Sequence, residues 1–142
     1  MSVAIVISQP GGPEVLKAIE RVLNEPGPDE VQIQHEVIGV NFVDIYYRSG
    51  LYLQSSYPVV PGFEGGGRVT AVGHKVGAFS PGDRVAYTDD ANLYKQGAED
   101  LITALQNGLE NPVGAEYALT DAAKAHTDIE AGRTTGSVIL TV

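Results

Sequence analysis

Short stretches in which apolar and polar residues alternate, separated by glycine and proline, dominate the first two thirds of the chain. Alternation with a period of two is typical of strands with one buried face, and glycine and proline clusters mark the turns between strands. The predicted strands are Val3–Ile7, Val31–Val37, Gly67–Val72 and Asp83–Tyr87. A row of this kind indicates a β-barrel or a β-sandwich.

After the last of these strands the apolar residues recur with the period of a helix. One apolar stripe predicts a helix over residues 94–107, and Gly108 can end it. A second stripe predicts a helix over residues 121–131, with Thr120 as the candidate N-cap and Gly132 as the terminator. The predicted secondary structure therefore changes from mainly strands to mainly helices along the chain.

Two further elements complete the predicted fold. A short helix is expected at residues 42–49, and residues 137–142 read as a closing strand. A chain of 142 residues is long enough for one ordinary domain and too short for two of typical size. We therefore treat residues 1–142 as a single, mainly β domain with some α-helix.

Composition and charge exclude several classes of protein. The chain has no cysteine, which removes disulfide frameworks, Cys-liganded zinc and cysteine nucleophiles. A net charge of −9 makes nucleic acid and anionic membrane surfaces poor partners. The apolar run at the N-terminus is too short for a signal peptide, and no stretch approaches a spanning helix. A cytoplasmic protein is the expectation.

The sequence lacks the motifs that usually indicate a metal-binding or nucleotide-binding site. The three histidines lack the close spacing of metal-ligand pairs, and we expect His35 and His126 to be satisfied core histidines. The glycine-rich segment Gly62–Gly67 does not fit the GxGxxG fingerprint and is read as a tight turn. No metal site is predicted.

Aromatic and polar side chains concentrate in one segment. Four of the seven tyrosines lie within residues 46–57, next to Asn41. Tyrosine hydroxyls and an asparagine amide can donate hydrogen bonds to the oxygen of a planar, carbonyl-bearing ligand, while the rings wall its pocket. The alternative is that Tyr46 and Tyr52 only cap one end of the barrel, and composition alone favours neither interpretation.

Several motifs follow one another in a fixed order along almost the whole chain. They lie in Gly11–Leu16, Asn41–Tyr52, Pro61–Gly73, Gly82–Tyr87 and Tyr117–Gly136. In order and spacing they resemble the zinc-independent quinone oxidoreductases of the medium-chain dehydrogenase/reductase superfamily. The resemblance implies a GroES-like β-barrel with a short helix and two C-terminal helices.

The resemblance also implies a domain that this chain lacks. Members of the family carry an inserted Rossmann domain that binds NADPH, and only about a dozen residues stand between Tyr87 and Leu101, where a domain of roughly 100–150 residues would be needed. An excision joint is therefore expected near residues 88–93. In zinc-dependent relatives a Cys and a His occupy the positions of Asn41 and Phe63, neither of which ligates zinc well.

The resemblance assigns the family's site residues to matching positions in this sequence. By resemblance, Asn41, Tyr46 and Tyr52 line the pocket where a quinone or enone meets the nicotinamide ring. They would orient the substrate and stabilise the negative charge that grows on its oxygen. Phe42 and Arg133 would face the cofactor domain, although the match at Arg133 is offset by one position.

Three functional hypotheses follow from these expectations. The first is an isolated or engineered substrate-binding domain that binds a small quinone or conjugated carbonyl but no NADPH, and is inactive alone. The alternative is an active NADPH:quinone oxidoreductase completed by oligomerisation. The third is a co-chaperonin-like assembly module. In the first case the former domain interface is exposed, so a homodimer through Phe42, Tyr46, Tyr52 and the 133–136 turn is expected.

Overall fold

The structure is a computed structural model that describes residues 1–88, 102–110 and 112–142. These residues form two β-sheets, helices and two short 3-10 turns. In chain order the elements are β1 (Ser2–Val6), a 3-10 turn (Pro13–Val15), β2 (Lys17–Arg21), β3 (Val31–Val40), α1 (Phe42–Ser49), β4 (Gly65–Val72), β5 (Arg84–Tyr87), helical residues 102–106 (α2), β6 (Val113–Ala118), a second 3-10 turn (Leu119–Asp121), α3 (Ala122–Glu130) and β7 (Ser137–Thr141).

The larger sheet joins the two ends of the chain. Its strand order is β5-β4-β3-β7-β6, with β6 and β7 parallel and the other neighbours antiparallel. The long strand β3 pairs with β4 on one side and with the C-terminal strand β7 on the other. Strands β1 and β2 form a separate antiparallel pair. The C-terminal segment is therefore an integral part of the sheet.

The core lies between the two sheets and α3. It combines residues of β1 with residues of β3 and β7, and α3 adds two buried alanines. The buried members are Ile5, Ile7, Leu16, Val40, Ala122, Ala125, Val138 and Leu140. Burial of one such aliphatic side chain stabilises the fold by about 1.5–3 kcal/mol. This shared core brings together residues that lie far apart in sequence.

Local signals at both ends explain helix α1. The Asn41 backbone N–H donates a hydrogen bond to Asp44 Oδ2 over 2.7 Å, which satisfies a backbone donor at the helix start. At the other end Gly50 adopts the left-handed conformation, with φ 83°, where glycine is favoured. The helix buries Asp44, Ile45 and Arg48. It therefore presents Asn41 at the end of β3.

Helix α3 ends as predicted but begins differently. Gly132 follows it in the left-handed conformation, with φ 64°, as the predicted terminator requires. The prediction of Thr120 as N-cap is wrong. Residues Leu119–Asp121 form a 3-10 turn in which the Ala122 N–H already donates to the Leu119 carbonyl, and Asp121 takes the N-cap position.

The mainly β fold with α-helix is confirmed, and α1 has the predicted bounds. The five predicted strands are present, and their ends differ from the prediction by at most three residues. Strands β2 and β6 were not predicted. Every residue of β2 is exposed, so it lacks apolar alternation. Apart from Thr88 the predicted junction at 88–93 lies outside the described residues, as do residues 94–101 of the predicted helix.

Candidate functional site

An open cleft of about 750 Å³ lies where β3 runs into α1. Its walls come from β3, the start of α1, the paired strands β4 and β5, and the segment leading into β7. Among the lining residues are Gly39, Asn41, Phe42, Glu64, Tyr87, Thr134, Gly136 and Val138. The cleft therefore collects residues from both the N-terminal and the C-terminal parts of the chain.

An amide–carboxylate contact forms one wall of this cleft. Asn41 Nδ2 donates a hydrogen bond to Glu64 Oε1 over 2.8 Å. A β-carbon at Gly39 would collide with that carboxylate, so glycine at this position makes room for the Glu64 side chain. The Gly39 N–H also donates to the Glu64 backbone carbonyl over 3.3 Å. This contact orients the Asn41 amide towards the carboxylate.

Five aromatic rings follow one another outward from the cleft. The centroid distances are 5.5 Å for Phe42–Tyr46, 5.3 Å for Tyr46–Tyr52, 5.4 Å for Tyr47–Tyr52 and 5.0 Å for Tyr47–Phe63. We call these five residues the aromatic row. Only Phe42 is part of the cleft lining. The structure thus places Tyr46 and Tyr52 beside the cleft, behind Phe42, while their functional roles stay predictions.

A tyrosine–histidine pair enters the site from strands far apart in sequence. Tyr87 lines the cleft, and its hydroxyl lies 3.0 Å from His35 Nε2. A β-carbon at Gly65 would lie 3.0 Å from the His35 ring and 3.2 Å from Tyr87, so this glycine leaves space for the pair. Burial lowers the pKa of His35 and raises the pKa of Tyr87. At neutral pH the pair is therefore a neutral imidazole beside a protonated phenol.

Sequence reasoning missed Tyr87 as a site residue. The sequence pattern places Tyr87 at the end of a strand and predicts His35 to be a core histidine. Alternation did place His35 on the apolar side of β3, but their contact depends on the pairing of β3 with β4 and of β4 with β5. No local signal joins two residues that are 52 positions apart.

The 133–136 turn closes the far side of the cleft. Thr134 and Gly136 line it, and Gly136 has φ 76°, with Pro112 O only 2.8 Å from where a β-carbon would stand. Arg133 is not part of the lining. Its guanidinium donates to Asp128 Oδ1 over 2.9 Å from Nε and 2.5 Å from Nη2. The predicted role of Arg133 towards a cofactor stays a prediction.

His126 is deeply buried, at 4% exposure, as expected of a core histidine. The expectation that it is satisfied is wrong, because Nδ1 has no hydrogen-bond partner among the described residues. Burial, together with the charge of Arg48, lowers the pKa of His126 to about 4. Within the described part of the chain, no group of three or more His, Asp or Glu side chains could hold a metal ion.

Within residues 1–88, 102–110 and 112–142, the cleft offers contacts for one end of a dinucleotide. A nicotinamide ring could lie against Phe42 beside the Asn41 amide, and the Thr134–Gly136 segment borders the same space. A pyrophosphate is normally bound at a helix N-terminus that follows a glycine-rich turn. Helices α1 and α3 follow Asn41 and Asp121, and neither has a GxGxxG segment before it.

Comparison with known proteins identifies the family. Residues 27–130 match the alcohol dehydrogenase GroES-like domain. The chain is 45% identical over 104 residues to a quinone oxidoreductase of Pseudomonas aeruginosa, an alignment that covers 70% of this chain and 32% of that protein.

Two solved structures agree with this match. The structure of Escherichia coli quinone oxidoreductase complexed with NADPH is 28% identical, with a TM-score of 0.58 over 82% of this chain and 44% of that one. A mycobacterial quinone oxidoreductase matches 99% of both chains with a TM-score of 0.83, and at 18% identity this likeness concerns the fold alone.

The chain therefore belongs to the family of alcohol dehydrogenase GroES-like domains, and its relatives include quinone oxidoreductases. This confirms the family predicted from the motifs. The matched part of the chain spans about a third of the length of the curated relatives, with 32%, 28% and 27% of the first three covered. No helix within residues 1–88, 102–110 and 112–142 is long and apolar enough to cross a membrane.

Proposed function

We propose that this chain is the substrate-binding domain of an NADPH-dependent quinone or enone oxidoreductase, and that it neither binds NADPH nor reduces quinones by itself. The cleft that joins Asn41, Phe42 and the 133–136 turn carries this proposal. The motif resemblance assigns Asn41 and Phe42 to the family's site, and the cleft residues come from the two segments that flank the predicted joint at 88–93. A location in the cytoplasm stays a prediction.

The chemistry proposed for the cleft is recognition of a carbonyl oxygen. When bound, NADPH supplies a hydride, so negative charge grows on the substrate oxygen and hydrogen-bond donors aimed at that oxygen lower the barrier. Asn41 is one proposed donor. Tyr46 and Tyr52 are the others by the family resemblance, and their rings adjoin Phe42 in the aromatic row. These side chains would orient the substrate and form no covalent bond with it.

The absence of NADPH binding is expected from the size of the contacts that remain. A cleft that touches only the nicotinamide end offers about two hydrogen bonds of ~1 kcal/mol each. Binding costs several kcal/mol of translational and rotational freedom, at least ~4 kcal/mol by common estimates. The contacts cannot offset that cost, so no saturable binding is expected below about 1 mM NADPH.

A titration of the chain with NADPH, followed by cofactor fluorescence, tests the proposal. We expect no saturation and no quinone reduction above background, while a quinone analogue still perturbs the NMR signals of Asn41 and Phe42. The matched analogue without a carbonyl should perturb them less. Micromolar NADPH affinity, or turnover that Tyr52→Phe abolishes, would instead support an enzyme completed by oligomerisation.

The exposed aromatic side chains beside the cleft support a homodimer as the second part of the proposal. Phe42 and Tyr52 are 49% and 46% exposed, and the neighbouring Leu51 and Leu53 are 66% and 86% exposed. Apolar patches larger than a few hundred Å² tend to find partners. Sedimentation of Phe42→Asp should show a monomer, whereas Phe79→Asp, at a phenylalanine of 44% exposure outside the cleft, should remain dimeric.

A further inference from the structure

A second, smaller pocket of about 250 Å³, which we call the inner cavity, adjoins the cleft and lies between β1 and the five-stranded sheet. Aliphatic side chains form most of its wall, including Val3, Ile5, Ile38 and Leu140. Gly39, Val40, Glu64 and Tyr87 line both spaces and thus separate the inner cavity from the cleft. The quinone site proposed above does not use this space.

The inner cavity has a polar end made by two buried side chains. Asp44 and His126 line it and are 2% and 4% exposed. Asp44 Oδ2 accepts the Asn41 backbone N–H, while Asp44 Oδ1 and His126 Nδ1 have no partner among the described residues. Buried polar atoms are nearly always hydrogen-bonded, and each one left unpaired costs about 1–3 kcal/mol. Two such atoms at one cavity indicate a bound molecule.

We propose that the inner cavity is a binding site for a small neutral phenol: one aromatic ring with a hydroxyl group that donates a hydrogen bond to Asp44. The ring would lie against Val3, Ile5 and Leu140, and the hydroxyl would face the Asp44 and His126 end. An engineered apolar cavity of about 150 Å³ holds benzene, so about 250 Å³ admits a substituted ring.

The charges around the cavity select a neutral donor. An ionised Asp44 only accepts hydrogen bonds, so the ligand must donate. The carboxylates of Asp44 and Glu64 both line the cavity and repel an anion. A cation would have to give up its hydration against a mostly aliphatic wall, and the guanidinium of Arg48, which together with burial lowers the pKa of His126, acts at the same end. A hydroxyl on a ring meets all three conditions.

NMR titration of the full chain with three probes tests the site. The probes are phenol, benzene and benzoate, which share the ring and differ in the donor and the charge. We expect phenol to bind with millimolar affinity and to give intermolecular NOEs to the methyl groups of Val3, Ile5 and Leu140. Benzene should bind about fivefold more weakly, because it lacks the hydrogen bond to Asp44. Benzoate should not bind.

Two variants separate the polar end from the apolar wall. Asp44→Asn can keep an acceptor for the Asn41 N–H while placing an amide donor at the cavity, so phenol exchanges a charge-assisted bond to a carboxylate for a weaker one from an amide and should lose most of its advantage over benzene. Ala122→Leu fills the cavity and should abolish binding of both rings. Ala131→Leu, on an exposed residue just after α3, is the matched control and should leave binding unchanged.

The proposal is wrong if phenol and benzene bind the wild type equally, if phenol contacts Phe42 in the cleft instead, or if phenol does not bind and the cavity holds water only. Should Ala122→Leu fail to fold, the wild-type NOEs and the Asp44→Asn affinity ratio still decide. None of these measurements involves NADPH or a quinone, so their outcome is independent of the proposed function.

Discussion

Polar side chains lie on two sides of helix α3. The two sides differ in how many of their polar atoms have hydrogen-bond partners. On the side that faces β6, Asp128 accepts hydrogen bonds from the Tyr117 hydroxyl at 2.7 Å, from Lys124 at 2.6 Å and from Arg133. We call these four residues the outer group. Both oxygens of the Asp128 carboxylate have partners, and the group ties the helix to the strand and to the 133–136 turn.

The side of α3 that faces α1 is different. Here Arg48, only 1% exposed, pairs with Glu130 at 2.6 Å, and Asp44 and His126 are buried nearby. We call these four residues the inner group. Each of its three buried members has one polar atom without a partner among the described residues: Asp44 Oδ1, Arg48 Nε and His126 Nδ1.

The two aspartates show what the difference means. Hydrogen bonds from Lys124, Tyr117 and Arg133 hold the pKa of Asp128 well below its usual range. Burial raises the pKa of Asp44 to about 6 despite its bond to the Asn41 N–H. The same side chain is thus stabilised as an anion where donors converge and destabilised where burial outweighs them. In the outer group both carboxylate oxygens of Asp128 accept hydrogen bonds, whereas the inner group keeps three buried polar atoms without a partner among the described residues.

The largest effect should come from breaking the ion pair of the inner group. Glu130→Ala leaves the Arg48 guanidinium buried without its carboxylate, and we expect a loss of about 3 kcal/mol in the free energy of unfolding. Urea denaturation measures it. Glu116→Ala, at an exposed glutamate of β6, should change that free energy by less than ~0.5 kcal/mol. Equal losses in the two variants would contradict the assignment.

A second prediction concerns the pH dependence of the inner group. The Asp44 contribution to stability is full below about pH 4 and is lost as the pH rises through about 6. The His126 contribution runs the opposite way: it is full above about pH 6.5 and is lost as the pH falls through about 4. In the wild type the two trends largely cancel.

Two variants, each lacking one of the two titrating groups, separate the pH-dependent contributions of Asp44 and His126 to stability. Relative to the wild type, Asp44→Asn should gain stability as the pH rises from 4 to 6, and His126→Gln should gain it as the pH falls from 6.5 to 4, each by about 2 kcal/mol. Denaturant unfolding at a series of pH values measures both. Difference profiles that stay flat would show that Asp44 and His126 titrate in the fold as they do in the unfolded chain.

The outer group should respond less, because Lys124 and Arg133 are mostly exposed and solvent screens their charges. We expect Asp128→Asn to lower Tm by about 3 °C at pH 7. The lowered pKa of Asp128 means that its contribution is present above the unfolded value and is lost as the pH falls towards that lower pKa. The difference in Tm from the wild type should therefore shrink in acid, and a constant difference would argue against a charge effect.

The smallest effect is expected for one donor of the outer group. Tyr117→Phe removes one hydrogen bond to Asp128 and keeps the ring that Lys124 Nζ overlies at 4.9 Å. Because two donors remain, Tm should fall by only about 1 °C. Calorimetry of Tyr117→Phe and Asp128→Asn measures the fall in Tm of each variant relative to the wild type. A larger fall in Tyr117→Phe would mean that the hydroxyl, rather than the two cations, stabilises the group.

The sequence by itself determined the elements whose signals are local. Helix α1 has its stop at Gly50 and its buried face within eight residues, so its bounds could be predicted. Alternation located β3 and β4, and the motifs identified the family. Two predicted site residues, Asn41 and Phe42, line the cleft because they follow β3 directly in sequence. Signals within short segments of the sequence were sufficient to predict these features.

Only the tertiary structure decided the rest. Strand β2 has no buried face, so its pairing with β1 leaves no trace in the apolar pattern. The contact between His35 and Tyr87 depends on the register of three strands. The opposite pKa shifts of Asp44 and Asp128 depend on which donors the fold brings to each carboxylate. Burial and hydrogen-bond partners are properties of packing between distant segments, and residue type and periodicity do not encode them.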